Sequence, residues 1–412
     1  IDLKGEAVLI SAPEGWTVTA SIDNSNPTTL SVTPPNQDGA EGIITLQVNK
    51  GVYWAIDQIK VRSKKVITSW YQEFLAGAEI VVNDVTIKKG SADDKVLINK
   101  EEVDLKVSLI SDDNAEIAED GLYFIGAGLN VTYKNSQNKN KVLINDSPTG
   151  EKPVVTCTNT ITLNGTSLIC KNVALKLNEN ATYRFLTINT NNAPYVAFDG
   201  CNLEVPSTAT QNAFCYASTA VAINSFTLHK SKIKIDKSTE YNIISVGKDN
   251  FVNFNSISVE NTIFYGNNAS TFKLFGVNNG NTTNAGIGSL VLRNTTFLNM
   301  HYAGYGIVNG DISTMIVKNN IIYADNNNNN VTVFRKRGNS SASLQATDGE
   351  VADNIGYIIG DFYLNLWQGD TPPLENAEKI QKLDASPFES LDKSTGTYVL
   401  KPEYQGYGAT IE

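Results

Sequence analysis

Arg335, Lys336 and Arg337 stand in a row after Asp325 and the run Asn326–Asn330. A guanidinium beside a lysine can neutralise a uronate carboxylate and draw the proton from the neighbouring carbon, which is what β-elimination needs. The competing reading is a solvated basic loop that offsets an acidic chain, and the residue types favour it. Glycoside hydrolysis would instead need two carboxylates facing one another across a sugar. The doublets Asp93-Asp94 and Asp112-Asp113 more simply cap turns. His229 and His301 are the only histidines, and each reads as a surface residue. Cys157, Cys170, Cys201 and Cys215 have neither zinc-ligand spacing nor the pattern of a disulfide framework. No metal site and no cofactor is expected, with Ca²⁺ entering only if the chain is a lyase.

The elements that must position these groups announce themselves by repetition. Segments 167–177, 195–205, 225–235, 256–266, 289–299 and 314–324 share one pattern, with steps of 28, 30, 31, 33 and 25 residues. The fourth position is Cys170, Phe198, Leu228, Val259, Leu292 and Val317. The ninth is Leu175, Leu203, Ile233, Phe264, Phe297 and Ile322. Between them the sixth is Asn172, Gly200, Lys230, Asn261, Asn294 and Asn319, mostly residues that tolerate left-handed backbone at a tight corner. Each repeat therefore reads as strand, corner, strand, and a period near 30 leaves room for a third strand. Stacked in register at about 4.8 Å per coil, such units form a right-handed parallel β-helix with aliphatic ladders inside. Lys152-Pro-Val-Val and Ile161-Thr-Leu add strands upstream. Downstream, Asp353-Asn354 reads as another corner, with Glu350 in an inward column.

The outward columns then become legible. The fifth position runs Lys171, Asp199, His229, Glu260, Arg293, Lys318, and the tenth runs Lys176, Glu204, Lys234, Tyr265, Leu298, Tyr323. No two adjacent coils place carboxylates in one of these columns, so paired-carboxylate hydrolysis finds no support there. In the last three coils the charge disappears: Ile263, Thr296 and Ile321 align, as do Tyr265, Leu298 and Tyr323. An apolar outer strip needs a cover or a ligand. Residues 356 to 410, with Tyr357, Phe362, Tyr363, Leu366 and Trp367, could fold back over it. Alternatively Tyr265, Tyr302, Tyr305, Tyr323 and Trp367 form a sugar-stacking platform, aromatic faces suiting the C–H edges of pyranoses.

The remaining chain supplies the ends. Residues 1–64 alternate over short runs such as Thr17–Ala20 and Ile43–Val48 and read as a small immunoglobulin-like β-sandwich, cut at its start. Residues 65–140 read as a linker helix and irregular strands that cap the stack, and 141–412 as the β-helix with its covering segment. With 33 basic against 43 acidic residues the net charge of -10 argues against nucleic acid as a partner. No run of 18 apolar residues offers a membrane-spanning segment. A monomer is expected.

Three stretches carry a family resemblance. Lys152–Leu175 resembles the opening coil of secreted or surface Bacteroidetes proteins with a pectin-lyase-like β-helix. Asp384–Ala409 resembles their closing stretch, although Tyr404 and Tyr407 stand where small residues are usual. Gly15–Val48 is similar to the immunoglobulin-like, BACON-like modules fused ahead of such helices. The resemblance implies an extracellular or outer-membrane location and handling of polysaccharide. Binding without catalysis, cleavage by a polysaccharide lyase and a purely structural adhesin or spacer all remain compatible with it.

Overall fold

A computed structural model describes residues 6–411, except 22–28, 38, 51, 64–65, 135–139, 164–165, 180–183, 189–192, 212, 218–220, 238–240, 247–251, 267–271, 278–284, 300–311, 326–330, 335–344 and 368–369. The chain divides into two units, 1–68 and 69–412. In the first, strands Glu6–Ser11, Glu41–Lys50 and Tyr53–Arg62 form an antiparallel sheet beside the hairpin Thr17–Ser21 with Thr29–Thr33. Val18, Ile44 and Leu46 are its buried core, with Trp16, Val32 and Val61 packed against them.

The second unit is a parallel β-helix. A 10-stranded parallel sheet runs from Lys106–Ile110 to Ala346–Ala352, and an 11-stranded one from Glu116–Ile117 to Gln381–Lys382. The third face is a 5-stranded sheet from Ile161–Leu163 to Phe272–Val277, followed by the pair Val331–Phe334 and Leu364–Trp367. The expected column is realised residue by residue: Cys170 pairs with Phe198, then Leu228, Val259, Leu292 and Val317. All six are at most 1% exposed, so the repeat does place them inside. Phe264 and Phe297 stack one above the other with ring centroids 5.0 Å apart.

The corners explain the asparagines. Asn172, Gly200, Lys230, Asn261, Asn294 and Asn319 all have φ between 46 and 65°, the left-handed region that Asn and Gly reach at least cost. The residue after each corner points inward and becomes steadily more polar along the stack. Thr262 and Thr295 bond carbonyls of the coil below through Oγ1, and Asn320 donates to Leu292 O and to Asn354 Oδ1. These ladders satisfy buried backbone groups at the tightest bend.

Two expectations are corrected by register. The next corner is Asp353 itself, with φ 53°, which pairs Val351 with Val317 and places Glu350 outward beside Ile316. Glu350 is exposed, where its carboxylate meets Lys318 Nζ at 2.5 Å; an inward site would have stranded that charge. The stack also starts upstream of 141. Lys106–Ile110 and Gly121–Ile125 already pair in parallel with the coils that follow.

Each long sheet is covered at one end. Helix Trp70–Leu75 and the antiparallel strands Ile80–Val82, Val85–Lys89, Lys95–Ile98 and Glu101–Asp104 lie on the outside of the first sheet. Phe74, Ile80, Val85, Ile87, Val96 and Ile98 there bury Leu122, Val142, Ile169 and Ala197. Over the last coils of the second sheet, Leu383, Phe388, Tyr398 and Ala409 bury Ile263, Leu298, Ile321 and Ile355.

Candidate functional site

The C-terminal cover removes part of the expected stacking platform. Tyr323 is 7% exposed, with Tyr357 stacked 5.4 Å away and Phe388 edge-on at 5.1 Å, and its hydroxyl donates to Asp325 Oδ2 at 3.0 Å. Trp367, also 7% exposed, belongs to the main core, because Leu364–Trp367 is the third-face strand of its coil and pairs with Val331–Phe334. Neither ring offers a free face to a sugar. The strip is closed by 383–411, while Leu366 and Trp367 pack inside. Tyr302, Tyr305, His301, Arg335, Lys336 and Arg337 lie outside the described residues.

Tyr265 is different. It stands at the edge of the cover, partly exposed, with the backbone of Gly396 laid against its ring. A Cβ built on Gly396 would meet Tyr265 Cδ1 at 2.8 Å, and the φ of +62° there also favours glycine. Upstream of Tyr265 the outward residues described in its column on the second sheet are polar. Lys176, Glu204 and Lys234 follow one another in register outside it, and Lys234 pairs with Tyr265.

Here a groove of about 640 Å³ opens, lined among others by Lys176, Glu179, Glu204, Ser207, Thr208 and Asp236. Its carboxylates come from three successive coils. Lys234 Nζ bridges two of them, 2.9 Å from Asp236 Oδ2 and 3.5 Å from Glu204 Oε1. The hydrogen bond to Asp236 raises the lysine pKa above its ordinary value despite partial burial. Tyr265 feels the same charges: burial pushes its phenol up, while Lys234 works against that.

One wall of the groove, Pro206 to Thr208, is held from both sides. Thr208 Oγ1 donates to Glu179 O in the coil below. From the coil above, Lys237 reaches under the loop and donates to Ala209 O at 2.9 Å and Gln211 O at 2.7 Å. Lys237 is 6% exposed, and burial lowers its pKa. Column reasoning missed Glu179, Asp236 and this wall because they sit past the repeated segment, where the chain turns toward the third face. The doublets Asn178-Glu179 and Asp236-Lys237 following an apolar residue were the available signal.

A second cluster lies on the first sheet beyond the N-terminal cover. His229 Nε2 is 2.8 Å from Ser258 Oγ, which in turn donates to Glu260 Oε1 at 2.8 Å. Arg293 holds the other oxygen of Glu260 through Nε and Nη2. Serine, histidine and glutamate invite comparison with nucleophilic catalysis, but the arrangement is wrong for it. The hydroxyl proton goes to the carboxylate, so imidazole must donate rather than accept, and Glu260 approaches the same ring nitrogen as the serine. The group is an ion ladder in register, Asp199, His229, Glu260 and Arg293 on consecutive coils.

Among the described residues no three His, Cys, Asp or Glu side chains are grouped to hold a metal ion, and no helix is long and apolar enough to cross a membrane. The four cysteines are buried and none is in a disulfide, and burial raises each thiol, Cys157, Cys201 and Cys215 to about 12, so none is a nucleophile at neutral pH. No family model, curated protein or solved structure matches the chain.

Proposed function

We propose that this β-helix binds polysaccharide along the groove of the second sheet and on toward Tyr265 of the next coil, and does so without cleaving it. The observation behind the reading is that the cover stops at Tyr265 and leaves a concave, polar strip on the coils before it. Carboxylates, amide and hydroxyl groups at successive rungs, each rung about 4.8 Å on, suit the repeated hydroxyls of an extended glycan. A tyrosine beside them can take the apolar face of a ring. The wall stapled by Thr208 and Lys237 keeps the groove open before any ligand arrives, which lowers the cost of binding. The resemblance to secreted and surface β-helix proteins with an immunoglobulin-like front module supports the same reading and a place outside the cell.

Titration calorimetry of the whole chain against a panel of polysaccharides tests it. At least one glycan should bind, and Tyr265→Ala and Glu204→Ala should each weaken it about tenfold, equivalent to about 1.4 kcal/mol. Binding that is indifferent to both substitutions would remove the groove from the account.

A further inference from the structure

Arg184 carries its charge onto the third face without an acidic partner. It stands two residues ahead of the strand Leu186–Ile188, and its guanidinium lies on the ring of Tyr216 in the next coil, with Cζ 4.1 Å from the ring centroid. The residue is only partly exposed, and its Nε is enclosed without a hydrogen bond. Among the described residues the guanidinium forms no ion pair. Outward cations elsewhere in the stack are treated differently. Lys171, Lys234, Arg293 and Lys318 each meet a carboxylate on their own or the adjoining coil. In a chain with a net charge of -10, acidic partners are not scarce. A guanidinium lifted from water onto an aromatic face keeps its charge, and a missing counter-ion costs more as solvent is excluded.

The hydroxyls around it are unused as well. Thr187, Tyr216 and Ser245 follow one another in register, so they share the outer side of the third face. Ser245 is wholly buried, and its Oγ has no hydrogen-bond partner. The Tyr241 hydroxyl is likewise enclosed and unpartnered on a residue 1% exposed; burial pushes this phenol up and the Arg184 charge pulls it back. Buried polar groups of a folded chain are normally satisfied. Unfilled donors gathered round an unpaired cation therefore suit a group that brings oxygen and negative charge. We infer that Arg184 on Tyr216 is an oxyanion-binding subsite of the third face, taking a carboxylate or a sulfate carried by a larger ligand. The stacked ring holds the guanidinium plane in place beforehand, so its terminal nitrogens can form a fork with two oxygens at little cost in order. The subsite is on a different sheet from the groove and does not depend on it.

The experiment uses nuclear magnetic resonance on the whole chain with isotope-labelled arginine. The sequence has five arginines, Arg62, Arg184, Arg293, Arg335 and Arg337, so few Nε–H signals compete, and Arg184→Gln identifies the one that matters. Sodium sulfate and sodium acetate are each exchanged for chloride at constant ionic strength, which keeps screening unchanged. The Arg184 signal should move saturably with at least one of the two, at a concentration about tenfold below that which moves any other arginine. The anion that acts at the lower concentration names the ligand group, acetate standing for a carboxylate. Tyr216→Leu, which removes the ring and keeps an apolar side chain, should raise that concentration about tenfold. Circular dichroism checks that the variant folds, and the titration of the unaltered protein decides alone if it does not. An Arg184 signal that ignores both anions, or that moves no earlier than those of the other four, overturns the inference. The groove and its glycan are untouched by that result.

Discussion

His229 shows how a single residue feels the stack. In register it lies between Asp199 and Glu260, and the charges from Lys171 to Arg293 would alternate only with the imidazole protonated. Burial nevertheless lowers its pKa, outweighing the pull of Glu260, Asp199 and Asp84. Glu260 goes the other way from what burial alone would do. Its hydrogen bonds from Ser258 and Arg293 hold it below the usual range for a glutamate. The depressed histidine means that the unfolded chain takes up the proton first. Its contribution is therefore complete above about pH 6.5, the unfolded value, and is lost as the pH falls through the lower folded value. Thermal unfolding should show a decline between pH 7 and pH 5 that His229→Gln flattens, while the decline below pH 4.5, where carboxylates titrate, persists. A variant whose profile keeps the upper decline would assign it to another group.

At the scale of the element, the corner is the unit that makes a coil. Asn294 holds φ at 50° between its two strands, and the same geometry recurs on six other coils as Asn, Gly, Lys or Asp. Asn294→Val should cost about 1–3 kcal/mol in urea unfolding, since a β-branched residue resists that region, whereas Asn294→Gly should stay within about 1 kcal/mol. Equal costs for the two would mean that the asparagine side chain, not the backbone, secures the bend. Strands, corners and inward ladders were readable because each repeats one demand at one spacing: Phe198, Leu228 and Val259 fill the same hole. Glu350 was misplaced by one residue because Asp353 and Asn354 can each occupy a corner, and only pairing with Val317 decides between them. The groove was not readable, because Glu179 and Asp236 sit in turns of varying length, and meet only once the coils are stacked.

At the largest scale, residues 69–412 form a stack whose outer faces are closed at opposite ends. Residues 69–105 shield the first sheet where it begins, and 383–411 shield the second where it finishes. The second cover is zipped as well as greasy. The hydroxyls of Tyr398 and Thr296 lie 2.7 Å apart, Tyr398 donates to Ala409 O, and Asn261 exchanges two hydrogen bonds with the backbone of Thr410. Tyr398→Phe should lower stability by about 1–3 kcal/mol, because Ala409 O and Thr296 would be left short of a partner. An unchanged unfolding midpoint would mean that the cover is held by its apolar contacts alone. In the sequence the aromatic stretch 362–367 reads as part of a cover, or through Trp367 as part of a stacking platform. Its assignment to the core follows from the third strand that its coil still lacked.

The account is tested most directly by hydrogen–deuterium exchange on the whole chain, with and without a saturating amount of the tightest glycan from the panel. Protection should appear together in residues 174–179, 202–208, 232–237 and 263–265, the rungs and wall of the groove. No protection anywhere, or protection confined to the outer face of the first sheet around His229 and Arg293, would contradict it.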